Sequence, residues 1–563
     1  MKNRHQLLQR MINEGILRKQ SEITIPPGTY HCAKAICVTD LCQTTFNGTG
    51  VKIIMTNTRE SGFVFNNCRA ITLKGFAIDY DPLPFTQATV VSQNEEATEF
   101  EFEIHEGYPD FTVTGNYGFG FRAEVFDPET LRGKMDDIYP IEKKALSSRR
   151  GCIKLATARP SLEPGDYLAF VNRERDFLAS AIEFKHCSTV RLEDLTILAS
   201  PGMAVYCADM DGENYFRYTV TRGPQDKYGV TRLISTNADG LHYHGGRRGP
   251  IIERCDFSFM SDDSVNINGP SFVVAKIENP TDLWIEAYKY NAICFCSLAK
   301  GDLIRFMSPE NYEIVAMAHI ESFGEIHDLA EVADAKLRKM MMADYAGDLL
   351  RRGGAIRVSC DRPLKLSGNE YCNVFSLNCP DFKIRDSYFH DHRAIGLRIF
   401  GTDGVIENNR FERIKFAAIN VGPAYFGSHD GWSENITIRG NEIFDCSFFS
   451  GEFPGVIAVS TAKLSDHSEY KYPPGTRNIT IEKNTIENCG ASGIFVNAAD
   501  GVCIHKNQLC QTNQRDCRHA LHDTINAEYA IDVQNSLHLD ISDNTVKKLG
   551  QYGAGIERKK EQL

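Results

Sequence analysis

At 563 residues, 42% of them hydrophobic and 24% charged, the chain far exceeds one average domain, so either one elongated body with insertions or several domains is expected. A net charge of −12 and the lack of any basic run argue against a nucleic-acid partner, because phosphate binding wants a basic surface. No apolar run reaches the roughly 20 residues that span a bilayer, so no membrane partner is expected.

The first twenty residues are charged throughout and lack the apolar core of a secretion signal. The 18 cysteines are scattered, without the paired CxxC spacing of a zinc or redox site. Together these features predict a cytoplasmic chain with reduced thiols, the alternative being a chain whose leader has been removed. Within that stretch, His5–Lys19 has helical spacing of Leu7, Leu8, Met11, Ile12 and Ile16. It precedes the strand-turn I-T-I-P-P-G-T-Y of Ile23–Tyr30, and a helix covering the open end of a solenoid would remove an exposed edge.

A repeated frame then runs along the chain: apolar, any, apolar, any, a turn residue, two more, apolar. It reads I-T-L-K-G-F-A-I at Ile71–Ile78, V-R-L-E-D-L-T-I at Val190–Ile197, P-I-I-E-R-C-D-F at Pro250–Phe257 and F-K-I-R-D-S-Y-F at Phe382–Phe389. Further copies end at Phe411, Ile443, Ile486 and Leu509, and L-D-I-S-D-N-T-V closes the series at Leu539–Val546. In the last five copies the sixth position is Asn409, Asn441, Asn484, Asn507 and Asn544. In a solenoid one register stacks on itself at about 4.8 Å, so these amides should form a hydrogen-bonded ladder. Cys68, Cys187 and Cys379 share a register three residues before the frame and are expected to stack likewise. The fold class that follows is all-β, a right-handed parallel β-helix.

Two long gaps in the frame mark insertions. The first contains P-G-D-Y-L-A-F-V at Pro164–Val171, the second K-G-D-L-I-R-F-M at Lys300–Met307, and both read as small β-barrel-like modules. The expected organisation is a cap helix and first coils over residues 1–84, an inserted module over 85–178, coils over 179–269, a second module over 270–370 and coils over 371–563. Leu329–Leu350 reads as helical within the second module, with Met340, Met341 and Met342 as packing residues.

The densest unusual polarity lies between the insertions, in S-T-N-A-D-G-L-H-Y-H-G-G (Ser235–Gly246) and S-D-D-S-V-N-I-N-G (Ser261–Gly269). Asp262 and Asp263 follow Asp239 by 23 and 24 residues, about one coil, so the three carboxylates should lie together. Neighbours on one strand point to opposite faces, so both Asp262 and Asp263 reach the site only if the chain turns there, as Ser261 and Ser264 permit. Close carboxylates raise at least one pKa, which is what glycoside hydrolysis needs: one carboxyl protonated to donate to the leaving oxygen, others to activate water. His242, His244, Asn266 and Asn268 lie alongside as candidate sugar contacts. DG and SDDS are also good turn chemistry, and clustered carboxylates also bind calcium, although no EF-hand or glycine-nonapeptide spacing is present. His390 and His392 lack a third metal ligand, so no metal or organic cofactor is expected.

The motifs A-D-G-L-H (Ala238–His242) and S-D-D-S-V-N-I-N-G, on a β-helix with two insertions, resemble the family 110 glycoside hydrolases. Those are inverting α-galactosidases that remove terminal α-1,3-linked galactose. The resemblance implies that Asp239, Asp262 and Asp263 are the catalytic aspartates, and that His242 and Asn266 touch the sugar. By a further likeness to polygalacturonases, Asp262 would be the general acid, with Asp239 and Asp263 holding the water; a water-filled gap of about 6.5–9.5 Å between acid and base would give the inverting outcome. Asn268 stands where the family pattern would carry histidine. Outside the motif, Arg398 in H-D-H-R-A-I-G-L-R is a candidate contact to a sugar hydroxyl, and Trp432 in F-G-S-H-D-G-W a candidate stacking platform.

The expected partner is an oligosaccharide or glycan, and a homo-oligomer is compatible with the sequence. Two other readings stay open. A polygalacturonase-like hydrolase or a uronan lyase or epimerase would use Arg247, Arg248 and Arg254 against an anionic sugar. A non-catalytic carbohydrate-binding β-helix protein would need no acidic trio.

Overall fold

A computed structural model describes residues 5–114, 122–171, 179–224, 229–287, 291–308, 313–328, 332, 354–422, 424–425, 431–449, 454–460, 462–463, 476–516 and 527–561. The segment 333–350, including the three consecutive methionines, lies outside the described residues, so the helix expected there has no counterpart to compare.

Successive coils stack in one 31-stranded sheet system whose coil-to-coil pairings are parallel throughout. The frame residues make the core. Leu73, Leu192, Phe216, Ile252, Ile384, Ile406, Ile438, Ile481 and Ile504 form one column in register, all fully buried. A second column runs through Phe257, Phe389, Phe411, Ile443, Ile486 and Leu509. Stacking like on like buries each apolar side chain against its neighbours above and below.

The frame's turn residue is left-handed in every copy, at Gly75, Asp194, Arg254, Asp386, Asn408, Gly440, Lys483, Lys506 and Asp543. That kink bends each strand at the corner of the coil, which is why glycine, asparagine and aspartate dominate the position. One coil escapes the frame. Tyr215–Val220 pairs between the Val190 and Pro250 copies, and the register shifts between Glu193 and Leu195 because it lacks the bulge.

The asparagine ladder is present. The amide N and Nδ2 of Asn409 both donate to Oδ1 of Asn441 (3.0 and 3.1 Å), and Asn441 does the same to Asn484 (3.0 and 2.9 Å). The pattern continues from Asn484 to Asn507 and from Asn507 to Asn544. Ser387 extends it upward, its amide donating to Asn409 Oδ1. Cys68 and Cys187 stack, the Cys68 amide lying 3.3 Å from the Cys187 sulfur. Cys379 does not join them: the coils of Val205–Met210 and Leu241–Gly246 intervene, and its thiol meets the Asn268 carbonyl.

The cap helix spans His5–Leu17, burying Leu8 and Ile12 against the first coil. The first insertion, with strands from Phe85 to Val171, is a six-stranded antiparallel sheet, and the second closes into a six-stranded barrel. The barrel's last strand is Tyr371–Val374, so the second module extends past the boundary expected at 370. Among the described residues no helix is long and apolar enough to cross a membrane.

Candidate active site

Three strands in register build the floor: Leu241–Gly246, Val265–Asn268 and Leu397–Phe400. Because side chains alternate along a strand, one outward row carries Tyr206, His242, Asn266, Arg398 and Asn420 on successive coils, and the next carries His244, Asn268 and Phe400. Asp239 and Asp263 each precede their strand by the same two residues, and the Gly240 amide donates to the Asp263 carbonyl, which locks the two coils together. Asp262 and Asp263 lie in a bend rather than a strand, which brings both to the site.

One carboxylate oxygen from each of Asp239, Asp262 and Asp263 lies within 4.8 Å of the others. The three carboxylates thus lie together, as their one-coil spacing in the sequence predicts. Asp239 and Asp263 are buried, whereas the Asp262 side chain is 20% exposed. Burial, followed by the charges of Asp262 and Asp239, pushes the Asp263 carboxyl well above its ordinary value, against the opposing pull of Arg398 and the Ile395 amide. Burial and crowding therefore favour the protonated form of Asp263.

The flanking polar residues form a directed network. His242 Nδ1 is 2.7 Å from Asp239 Oδ2, and its Nε2 faces Asn268 Nδ2 at 3.2 Å. Asn268 Nδ2 also donates to Asn266 Oδ1 (2.9 Å), while Asn268 Oδ1 pairs with His244 Nδ1. Asn266 Nδ2 in turn approaches Asp263 Oδ2 at 3.5 Å, and the Ile395 amide donates to Asp263 Oδ1 (2.9 Å). These partners put the His242 proton on Nδ1, aimed at Asp239. They also explain the departure at 268: an imidazole there could not accept from His244 while donating to both His242 and Asn266.

The residues that hold Asp262 come from further away. Arg393 Nη1 lies 3.5 Å from Asp262 Oδ1, and its Nε binds Asp137 of the first insertion. Arg122, also of that insertion, binds the carbonyl and hydroxyl of Ser261, pairs with Glu124 (3.2 Å) and lies 3.6 Å from Asp137. Lys415 closes the network on Asp137 (3.4 Å) and Glu124 (3.8 Å). Although burial opposes it, the three cations Lys415, Arg393 and Arg122 hold the Asp137 carboxyl down at about 2. Arg393 and Lys415 also line a cleft of about 360 Å³ together with Phe126, Arg132, Phe259 and Phe449. No local motif distinguishes Arg122, Asp137 or Lys415 in the sequence, and Arg393 lies in the His390–Arg398 stretch that pointed to Arg398 instead.

Several expectations change. Trp432 is fully buried, packed with Met307 and Tyr371 under the barrel, its Nε1 donating to Glu434 Oε2 (3.0 Å), so it offers no ring face to a sugar. His390 and His392 diverge: His390 lies between Asp391 and Asp256, and buried His392 bridges Ser264 and the Arg393 carbonyl. Burial pushes His392 down to about 4 and keeps it neutral. Of the arginines considered for an anionic sugar, Arg247 is engaged by Asp302 and the Ser297 carbonyl, Arg248 faces Glu213 and Arg254 faces Glu253.

Comparison with known proteins follows the Asp motif. The chain is 24% identical over 497 residues to "Alpha-1,3-galactosidase B" of Bacteroides thetaiotaomicron, spanning 84% of this chain and 75% of that protein. It is 23% identical over 536 residues to "Alpha-1,3-galactosidase A" of a Bacteroides fragilis strain, spanning 89% and 80%. No protein-family profile matches. Among solved structures it is similar to the catalytic domain of an α-1,3-glucanase bound to nigerose, with TM-score 0.42 and 8% identity over 97% of this chain and 65% of that one. An exopolygalacturonase from Thermotoga maritima gives TM-score 0.38 and 11% identity over 90% and 83%.

Proposed function

We propose that the chain is an exo-acting glycoside hydrolase that releases terminal α-linked galactose, with α-1,3 the first linkage to test, and that it inverts the anomeric centre. The observation that carries this reading is the convergence of Asp239, Asp262 and Asp263, one carboxylate oxygen from each lying within 4.8 Å of the others. The relatives named α-1,3-galactosidase support the sugar and the linkage.

Asp262 is the exposed member and takes the acid role. Its proton passes to the glycosidic oxygen as the C1–O bond breaks, the bonding pair staying on that oxygen. Water held by Asp239 and Asp263 adds through oxygen to C1 and gives its proton to the Asp239 carboxylate, since burial favours the protonated form of Asp263. His242 orients the Asp239 carboxylate, and Asn266 and Arg398 face the bound ring from the same outward row. The leaving saccharide departs toward the cleft beyond Arg393, whose aromatic and charged lining suits a sugar ring with an apolar face and hydroxyl edges.

A panel of aryl and disaccharide α- and β-glycosides, wild type against Asp262→Asn, tests the assignment. Turnover confined to α-galactosides and lost in the variant is expected; a fully active variant refutes the acid role. One observation favours a second stereochemical reading. Carboxylates within 4.8 Å are closer to the roughly 5–5.5 Å of retaining enzymes than to the inverting gap. Proton NMR of the first-formed sugar decides it, β-galactose indicating inversion of an α-linked substrate and α-galactose retention. The uronan reading loses support because Arg247, Arg248 and Arg254 are each turned to a carboxylate of the protein itself.

A further inference from the structure

We propose that Asp137, carried by the first insertion, tunes the outward aspartate of the site through Arg393, so that the inserted sheet is a working part of the catalytic apparatus. The inference rests on the reading of Asp262 as general acid.

A guanidinium beside an acid is at first sight a contradiction. An opposite charge within about 4–6 Å lowers a carboxyl's pKa by roughly 1–3 units and would strip Asp262 of its proton. The geometry resolves this. Arg393 commits its Nε edge to Asp137 and reaches Asp262 only through Nη1, at 3.5 Å, the far limit of a hydrogen bond. Nη1 also faces the Ser261 carbonyl at 3.4 Å. Asp137 therefore holds the guanidinium off Asp262 in the resting state and offsets part of its charge. Once Asp262 has handed its proton to the leaving oxygen, a cation already stands beside the new carboxylate. Arg393 thus interacts more strongly after proton transfer than before it, the condition for lowering a barrier.

The surroundings are specific. Asp262 is faced by Arg393 and by the carboxylates of Asp239 and Asp263, and its backbone lies against buried His392. Arg393 is faced by Asp137, Asp262, Glu124 and Tyr139. Asp137 is faced by Lys415, Arg393 and Arg122, and the pairing with Arg393 spans 256 residues of chain. Arg122 meanwhile pins Ser261, the residue immediately before Asp262. Arg393 and Asp137 are positioning residues, since they act through Asp262.

Charge signs make the test two-sided. The pH dependence of kcat/KM is measured on an unactivated disaccharide shown by the panel above to be turned over. Arg393→Met removes the cation, and the alkaline limb should move up by about one pH unit with a loss of kcat. Asp137→Asn frees the guanidinium to close on Asp262, and the limb should move down. Arg393→Lys keeps the charge and should leave the limb near its wild-type position. Limbs that stay put, or that move the same way in Arg393→Met and Asp137→Asn, overturn the proposal when thermal unfolding shows both variants folded. If Asp137→Asn fails to fold, Arg393→Met against Arg393→Lys decides alone. Failure of the underlying acid assignment would show separately, as wild-type turnover of the same disaccharide by Asp262→Asn.

Discussion

Asp239 and Asp263 occupy the same place on successive coils, each two residues before a strand, and the parallel stack holds their carboxylate oxygens within 4.8 Å. No flexible loop can relax this repulsion, because the Gly240 amide is bonded to the Asp263 carbonyl and the Ala204 amide to the Asp239 carbonyl. Burial and this crowding instead favour the protonated form of Asp263.

A pH dependence follows from that proton. Turnover should fall on the alkaline side as the trio loses it, and on the acid side as the water-activating carboxylates gain one, giving a bell. Stability should show the opposite of the usual carboxylate trend at this residue. Burial raises the folded pKa of Asp263 above its unfolded value, so between the two values the folded state binds more protons and stability declines as pH rises. The slope is about 1.4 kcal/mol per pH unit at most for one group. Asp263→Asn should flatten that decline in urea unfolding compared across pH while abolishing turnover. An unchanged slope in the variant would show that Asp263 is ionised in the folded protein.

Asp262 as acid makes a distinct prediction about leaving groups. A nitrophenolate departs without help, whereas a sugar alkoxide needs a proton. Asp262→Asn should therefore lose about 10²-fold or more in kcat/KM on a disaccharide and much less on an activated aryl α-galactoside. Equal losses on both substrates would place Asp262 in binding or water activation instead.

Asn268 is the hub between His244, His242 and Asn266, and thereby connects to both Asp239 and Asp263. Asn268→His, the residue the family pattern would carry, should cost activity in this chain rather than improve it, because it leaves buried donors and acceptors mismatched at about 1–3 kcal/mol each. Steady-state kinetics with a thermal-unfolding control checks this, and an undiminished kcat/KM would show that the network has a second arrangement.

What could be seen in the sequence was whatever repeats or is spaced by a coil. The asparagine register was visible because one side chain recurs at one frame position, and the aspartate trio because 23 and 24 residues approximate one turn of the solenoid. The Tyr215–Val220 coil was hidden because it lacks the left-handed turn residue that marks the others. Arg122, Asp137, Arg393 and Lys415 were hidden for a different reason: their meeting depends on how the inserted sheet folds back on distant coils. Trp432 was a candidate because its loop could fold toward the cleft, with core packing the alternative, and it is the packing with Met307 and Tyr371 that holds. The closeness of the three carboxylates was legible because coil spacing sets it.

The ladder offers a graded test of the fold itself. Asn484 accepts from the amide and Nδ2 of Asn441, and its own Nδ2 donates to the Ile438 carbonyl (3.0 Å) and Asn507 Oδ1 (3.0 Å), all in a fully buried setting. Asn484→Ala strands two donors of Asn441 and the Ile438 carbonyl, each a buried polar group with no water to replace its partner. At about 1–3 kcal/mol for each unsatisfied group, partly relaxed, the variant should lose several kcal/mol. Asn544 closes the ladder, with Asn507 above it and its Nδ2 on the Ile504 carbonyl (2.7 Å) in a half-buried setting. Water can reach the groups left by Asn544→Ala, so its cost should be well under half that of Asn484→Ala. Chemical denaturation of the two variants measures the difference, and equal costs would mean that the ladder contributes through turn geometry alone and not through its buried hydrogen bonds.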